Sequence, residues 1–197
     1  MKRTLTAAGI CGIATPIVAF ICIFGAIASW QPFSWTNNAL SDLGVQAGIT
    51  APLFNSGLVT AGLLGMVFSA GLYLFAGKHP LGKAGSVIFG LACVALVCIG
   101  VFNEHYNPTH FYVSVAFFVL MPIALLILVP SFWLIRERKL SILTLVLAVA
   151  AALPWALQFS IHYVSGVAVP EFASSLAGSL WAVVLSVKML REANKTL

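Results

Sequence analysis

The sequence predicts an all-α integral membrane protein, a six-transmembrane-helix bundle with both its N and C termini cytoplasmic. Three observations predict this fold. Of the 197 residues, 61% are hydrophobic and only 8% are charged, whereas a soluble domain carries about 25% charged residues. Apolar segments long enough to cross a bilayer occur six times along the chain. All ten basic residues then fall on one side of the membrane.

Each apolar segment is a candidate transmembrane helix, because a backbone surrounded by lipid must satisfy its own hydrogen bonds. The six segments lie at residues 7–29, 52–76, 84–102, 111–135, 140–161 and 171–190. They occupy so much of the chain that no segment is left for a separate soluble domain. We therefore expect a single transmembrane domain over residues 1–197.

The first segment also has features of a signal peptide. Lys2 and Arg3 precede it, and Ala26-Ile27-Ala28 resembles a cleavage site. The apolar core of a signal peptide is about 7–15 residues long, and the run from Ala7 to Ala28 is longer. We therefore expect this segment to be the first transmembrane helix.

The basic residues orient the bundle. They lie before the first span, between the second and third, between the fourth and fifth, and after the sixth; they are Lys2, Arg3, Lys78, Lys83, Arg136, Arg138, Lys139, Lys188, Arg191 and Lys195. The positive-inside rule makes this side cytoplasmic. The net charge of +5 is thus explained by topology in the cell membrane. The expected partners are membrane lipids and other membrane-protein subunits, with no nucleic acid.

Packing of the second span is indicated by its small residues. Gly57, Ala61, Gly65 and Ser69 recur at every fourth position. A stripe of small residues on one helix face lets a neighbouring helix approach closely. The stripe therefore predicts that this face is buried in the bundle.

The exoplasmic side holds the candidate site. Its loops contain no Lys or Arg but carry most of the acidic residues and histidines. The candidate side chains are Asn38, Ser41, Asp42, Asn55, Glu104, His105, His110, His162 and Glu171. Such residues cap helices and close turns, but ionisable groups near a membrane also mark functional sites. Both interpretations stay open; a shared pocket requires Asp42, His110 and Glu171 to converge.

The chemistry of these side chains suits a divalent metal. His105, His110, His162 and Asp42 have the ligand types that zinc prefers. A bound metal could activate water for attack on a lipid ester or amide, and Ser41 is an alternative nucleophile with a histidine base. The residue types resemble those of alkaline ceramidases, although the HxxxH spacing of that group does not occur.

Several short motifs occur in order along the chain. They are Asn38–Gly44 (NALSDLG), Leu53–Gly57 (LFNSG), His110 with Ser114 and Phe117-Phe118, and Val169-Pro170-Glu171. This pattern resembles the domain-of-unknown-function 998 family of small prokaryotic membrane proteins. That family is similar to the eukaryotic Frag–DRAM–Sfk membrane proteins, some of which are linked to lipid handling. The resemblance implies a six-span fold and no particular reaction or substrate.

Three functions remain open from the sequence. The protein could bind or handle a lipid headgroup, act as a metal-dependent hydrolase on a lipid, or serve as a structural or accessory subunit of a membrane complex. The sequence does not decide whether it is an enzyme.

The orientation can be tested by cysteine-accessibility labelling in a background without the native cysteines. Cysteines at Lys83 and Arg138 should react only from the cytoplasm, and cysteines at Asn38 and Asn107 only from outside, because the basic residues stay inside. Labelling of position 107 from the cytoplasm would contradict the topology.

Overall fold

Six long α-helices make up the protein. The computed structural model describes residues 2–77 and 79–195; Lys78, assigned above to the cytoplasmic side, lies outside them. The helices are α1 Lys2–Ser29, α2 Thr50–Ala76, α3 Pro80–Val101, α4 Thr109–Leu134, α5 Arg138–Ile161 and α6 Ala168–Lys195. All six are long and apolar enough to cross a membrane. The described residues contain no strand, so the predicted all-α fold with six spans is confirmed.

Local sequence features define where the helices begin and end. Pro80 opens α3, where its missing N–H costs no hydrogen bond, and the side chain of His79 accepts a hydrogen bond from the N–H of Leu81 at 3.2 Å. His162 ends α5 in the left-handed conformation, with φ 47°, which is a common way to end a helix. All six helices begin a few residues before the apolar segments that predict them.

The helices form a closed ring in which neighbours in sequence are neighbours in space and α6 packs back against α1. Adjacent helices are antiparallel. Gly57 of α2 lies against Cys22 of α1, while Gly71 lies against Ala8. The described basic residues therefore share one end of the bundle, the basic end. The segments 30–49, 102–108 and 162–167 share the other, the loop end.

Two apolar clusters fill the bundle. The larger one surrounds Trp181, whose ring packs against Phe68 and Phe89 with centroids 5.9 Å and 5.2 Å away. Its indole N–H donates to the hydroxyl of Thr144 at 3.0 Å. The smaller cluster lies at the loop end and contains Leu40 together with its neighbour Leu43, so part of the first loop belongs to the core.

The small residues of α2 pack as the sequence predicts. Gly57, Ala61, Gly65 and Ser69 are all buried. A Cβ atom on Gly65 would lie 2.7 Å from the sulfur of Cys93 on α3, and the hydroxyl of Ser69 donates to the carbonyl of Ser86 at 2.8 Å. This face of α2 therefore leaves no room for larger side chains.

Ala61 provides a test of this packing. Ala61→Leu should lower the free energy of unfolding by about 1–3 kcal/mol, because a larger side chain must displace its neighbours. Ala70→Leu makes the same change at an exposed position of the same helix and should have little effect. Equal melting temperatures of the two variants in detergent would mean that Ala61 is not tightly packed.

Candidate functional site

The first loop, residues 30–49, folds back into the bundle instead of covering it. A short 3-10 helix, Ser41–Val45, follows Leu40. Leu40 and Leu43 are 6% and 0% exposed, and the ring of Trp35 packs edge-on against Phe172 of α6 at 5.2 Å. Burial of these apolar side chains fixes the neighbouring polar residues relative to α6.

Backbone hydrogen bonds join this loop to the start of α6. The N–H of Gly166 donates to the carbonyl of Thr36 at 2.6 Å, and the N–H groups of Val167 and Ala168 donate to the carbonyl of Asn38 at 3.1 Å and 2.9 Å. The first N–H groups of a helix have no partner within the helix. The first loop thus supplies acceptors that the start of α6 needs.

Asp42 stabilises its own loop. Its carboxylate accepts hydrogen bonds from the Asn38 side chain at 2.6 Å and from the N–H of Ala39 at 3.1 Å. Asn55 donates to the carbonyl of Gly44 at 2.9 Å, which attaches the 3-10 helix to α2. The contacts of Asn38, Asp42 and Asn55 are therefore those expected of residues that close turns and cap helices.

Glu171 and Glu104 are differently placed. Glu171, in the first turn of α6, is only 7% exposed, and its carboxylate accepts a hydrogen bond from the N–H of Leu40 at 2.6 Å. Ser41 donates to the carboxylate of half-buried Glu104 at 2.7 Å. No Lys or Arg of the described residues forms an ion pair with either glutamate. Leu40 and Ser41 therefore each donate a hydrogen bond to a carboxyl group that has no basic partner: Leu40 to Glu171 and Ser41 to Glu104.

His110 is held in one orientation at the start of α4. It is 6% exposed, and its Nδ1 lies 2.7 Å from the carbonyl oxygen of Phe102. A carbonyl can only accept, so Nδ1 carries the hydrogen in this contact. The other ring nitrogen, Nε2, lies 3.4 Å from the hydroxyl of Ser114.

These groups line one cavity of about 420 Å³, which we call the α4–α5 cleft. Its polar side chains come from the loops and the first turns of α4 and α6; they are Ser41, Glu104, Asn107, His110, Ser114 and Glu171. Its apolar wall comes from α4 and α5; its large side chains are Phe111, Val115, Phe118, Val119, Trp155 and Phe159. The cleft thus has polar side chains along one side and aromatic side chains along the other.

The aromatic wall reaches the outside of the bundle. Phe111 and Phe159 are 59% and 73% exposed, so they belong to the lipid-facing surface of the helices. Trp155 packs between Phe118 and Phe159, with ring centroids 4.8 Å and 5.9 Å away. Its indole N–H is buried without a hydrogen-bond partner among the described residues. Buried donors of this kind are uncommon and call for an explanation.

The structure brings together some of the predicted site residues and separates others. Ser41, Glu104, His110 and Glu171 line the α4–α5 cleft. Asn38, Asp42 and Asn55 lie behind it in the first loop and at the start of α2. His105 and His162 are exposed and do not line it. Two of the three residues expected to converge, His110 and Glu171, therefore share the cleft, and Asp42 does not line it.

The candidate metal ligands are not assembled. Within residues 2–77 and 79–195, no three His, Cys, Asp or Glu side chains are grouped closely enough to hold a metal ion. The structure thus corrects the ligand set His105, His110, His162 and Asp42, because the first and third are exposed at separate loops. A zinc site needs at least three protein ligands around one point.

Sequence reasoning missed the aromatic wall and Asn107. Trp155 and Phe159 are spaced i, i+4 on α5, a spacing that places two side chains on one helix face. That signal was readable, but α5 has apolar residues on every face, so nothing indicated which face points to a cavity. On α4, Ser114 likewise follows His110 by four residues, so these two side chains also lie on one helix face.

Gly166 allows a test of how the loops are joined. A Cβ atom there would lie 2.4 Å from the carbonyl oxygen of Asn38, so Gly166→Ala should push the first loop away from α6. We expect a loss of about 1–3 kcal/mol in the free energy of unfolding. The control, Ser165→Ala, changes an exposed neighbour and should leave the melting temperature unchanged. A Gly166→Ala variant as stable as this control would contradict the close contact.

Comparison with known proteins agrees with the motifs. A family model described as "Protein of unknown function (DUF998)" matches residues 13–188. No curated protein and no solved structure matches the chain. The likeness to the Frag–DRAM–Sfk proteins stays a prediction. Since the family match covers nearly the whole chain and includes every motif that resembles the family, this multi-pass membrane protein belongs to the DUF998 family.

Proposed function

We propose that this protein binds a membrane lipid in the α4–α5 cleft, with the headgroup at the polar side and apolar chain against the aromatic wall. One observation carries the proposal: a single cleft joins the carboxyl groups of buried Glu171 and half-buried Glu104 to an aromatic surface that continues onto the outside of the bundle. Ligand sites are commonly concave and mostly apolar, with a few polar groups that fix orientation. An amphipathic ligand matches both sides of this cleft.

The membrane leaflet follows from the charge distribution. The cleft lies at the loop end, opposite the basic end. If the basic end is cytoplasmic, as the positive-inside rule predicts, the headgroup binds at the exoplasmic side of the cell membrane. The labelling experiment described above tests this part of the proposal independently.

The charge of the cleft favours a headgroup that contains an amine. Glu104 and Glu171 line it, and no Lys or Arg does. A buried carboxylate without a partner is unfavourable, and a ligand ammonium group would supply the missing partner. A zwitterionic aminophospholipid therefore fits better than a purely anionic lipid.

Lipid hydrolysis has less support than lipid binding. The metal-dependent reaction lacks a grouped ligand set among the described residues. Ser41, the nucleophile considered from the sequence, donates to a carboxylate and not to a histidine. A role as an accessory subunit, with other membrane proteins as partners, stays a prediction.

Binding can be measured by native mass spectrometry on the protein in detergent, with lysophosphatidylethanolamine and lysophosphatidylglycerol of equal chain length as probes. We expect the ethanolamine lipid to bind about tenfold more tightly, because one hydrogen bond to a charged group contributes a free energy of about that size. Glu171→Gln should remove this preference while keeping an oxygen that accepts from the N–H of Leu40.

The control makes the same change at the basic end. Glu192→Gln should keep the preference of the wild-type protein, because Glu192 lies at the far end of α6. Equal affinity of the wild-type protein for both lipids, or an unchanged preference in Glu171→Gln, would refute an amine-binding role for the cleft.

A further inference from the structure

Two smaller cavities continue from the α4–α5 cleft toward the middle of the bundle. The first has a volume of about 40 Å³ and shares four lining residues with the cleft. They are Ser41, Ser114, Phe118 and Glu171. The cleft and this narrow cavity therefore meet beside the Glu171 carboxyl group.

The second cavity, which we call the central chamber, has a volume of about 90 Å³. It shares five lining residues with the narrow cavity, namely Ile23, Leu58, Leu96, Phe117 and Ser175. The three cavities thus adjoin in one sequence, from the outer surface of the bundle, past Glu171 and beside Phe117, to the centre of the bundle.

We propose that the cleft binds a single-chain amphiphile whose apolar chain extends past Glu171 into the central chamber. This inference rests on the proposed function and refines it in two ways: the ligand has one chain, and the end of that chain leaves the aromatic wall and continues past Glu171. The narrow cavity, at about 40 Å³, is small beside the cleft of about 420 Å³, so the two chains of a diacyl lipid would not fit in it side by side.

The lining of the central chamber suits an alkyl chain. Helices α1, α2, α3, α4 and α6 all contribute to it, with buried Phe68, Met121 and Ala182 among its walls. Three hydroxyl residues, Thr15, Ser175 and Ser179, also line it, and the Thr15 hydroxyl already donates to the carbonyl of Cys11 at 2.8 Å. Apolar cavities in proteins stay dry and accept apolar guests, and side chains around a void lack contacts that a guest restores.

The position of the headgroup gives the chain its direction. Glu171 borders both the cleft and the narrow cavity, so an ammonium group beside it leaves the attached chain at the opening of the path. Phe117 and Phe118, whose ring centroids lie 4.9 Å apart, pack against each other and both line the narrow cavity. Phe118 borders the cleft and Phe117 borders the chamber.

Chain-length preference tests the path. Dodecanoyl and hexadecanoyl lysophosphatidylethanolamine should compete for the wild-type protein in one detergent, with bound species counted by native mass spectrometry. We expect the longer chain to be preferred on the order of tenfold, because it fills a void of about 90 Å³. Ala182→Leu fills the chamber and should abolish that preference.

Two further variants make the result interpretable. Ser179→Leu narrows the same chamber from another position and should act like Ala182→Leu, which guards against misfolding of either one. Ala152→Leu adds the same side chain at an exposed position of α5 and should keep the wild-type preference. Because all variants share one detergent, partition of the lipids into micelles affects them equally.

The possible outcomes separate the two proposals. If both chamber variants keep the wild-type chain preference while Glu171→Gln still removes the headgroup preference, the chamber path is wrong and the proposed function stands. Tight binding of a diacyl phosphatidylethanolamine, equal to that of the single-chain lipid, would also overturn the single-chain path. If no lysolipid binds the wild-type protein, the proposed function itself fails.

Discussion

The attachment of the first loop to the start of α6 is the interaction on which the site depends. The carbonyl of Asn38 accepts from two N–H groups at that helix start, and the N–H of Leu40 binds the Glu171 carboxylate in return. In lipid, an unsatisfied backbone group is costly, so this exchange stabilises both partners. It also joins segments that are far apart in the sequence, because Leu40 and Glu171 are separated by 131 positions and meet where the helical ring closes.

The fold could be predicted because the membrane limits the choices. Apolar length identifies α1 to α6, and the distribution of Lys and Arg separates the two ends of the bundle. The small residues at Gly57, Ala61 and Gly65 further identified a tightly packed face. In each case one physical constraint directly limits which residues occur in that part of the sequence. The three constraints are hydrocarbon thickness, charge and side-chain volume.

The site was only partly predictable. Of the polar residues that the sequence places on the side without Lys or Arg, Ser41, Glu104, His110 and Glu171 line one cleft in the structure. Asp42, however, satisfies its carboxylate within its own loop, as short polar side chains often do. Its role depends on backbone geometry that residue type alone does not reveal. Trp155 was missed because a helix surrounded by lipid and protein has apolar residues on both sides.

The exposure of Phe111 and Phe159 changes how a ligand would reach the cleft. An opening in the lipid-facing surface is met by lateral diffusion in two dimensions, without transfer of the ligand through water. Occupancy would then depend on the mole fraction of the ligand in its leaflet and not on its concentration in water, so the protein would respond to changes in bilayer composition.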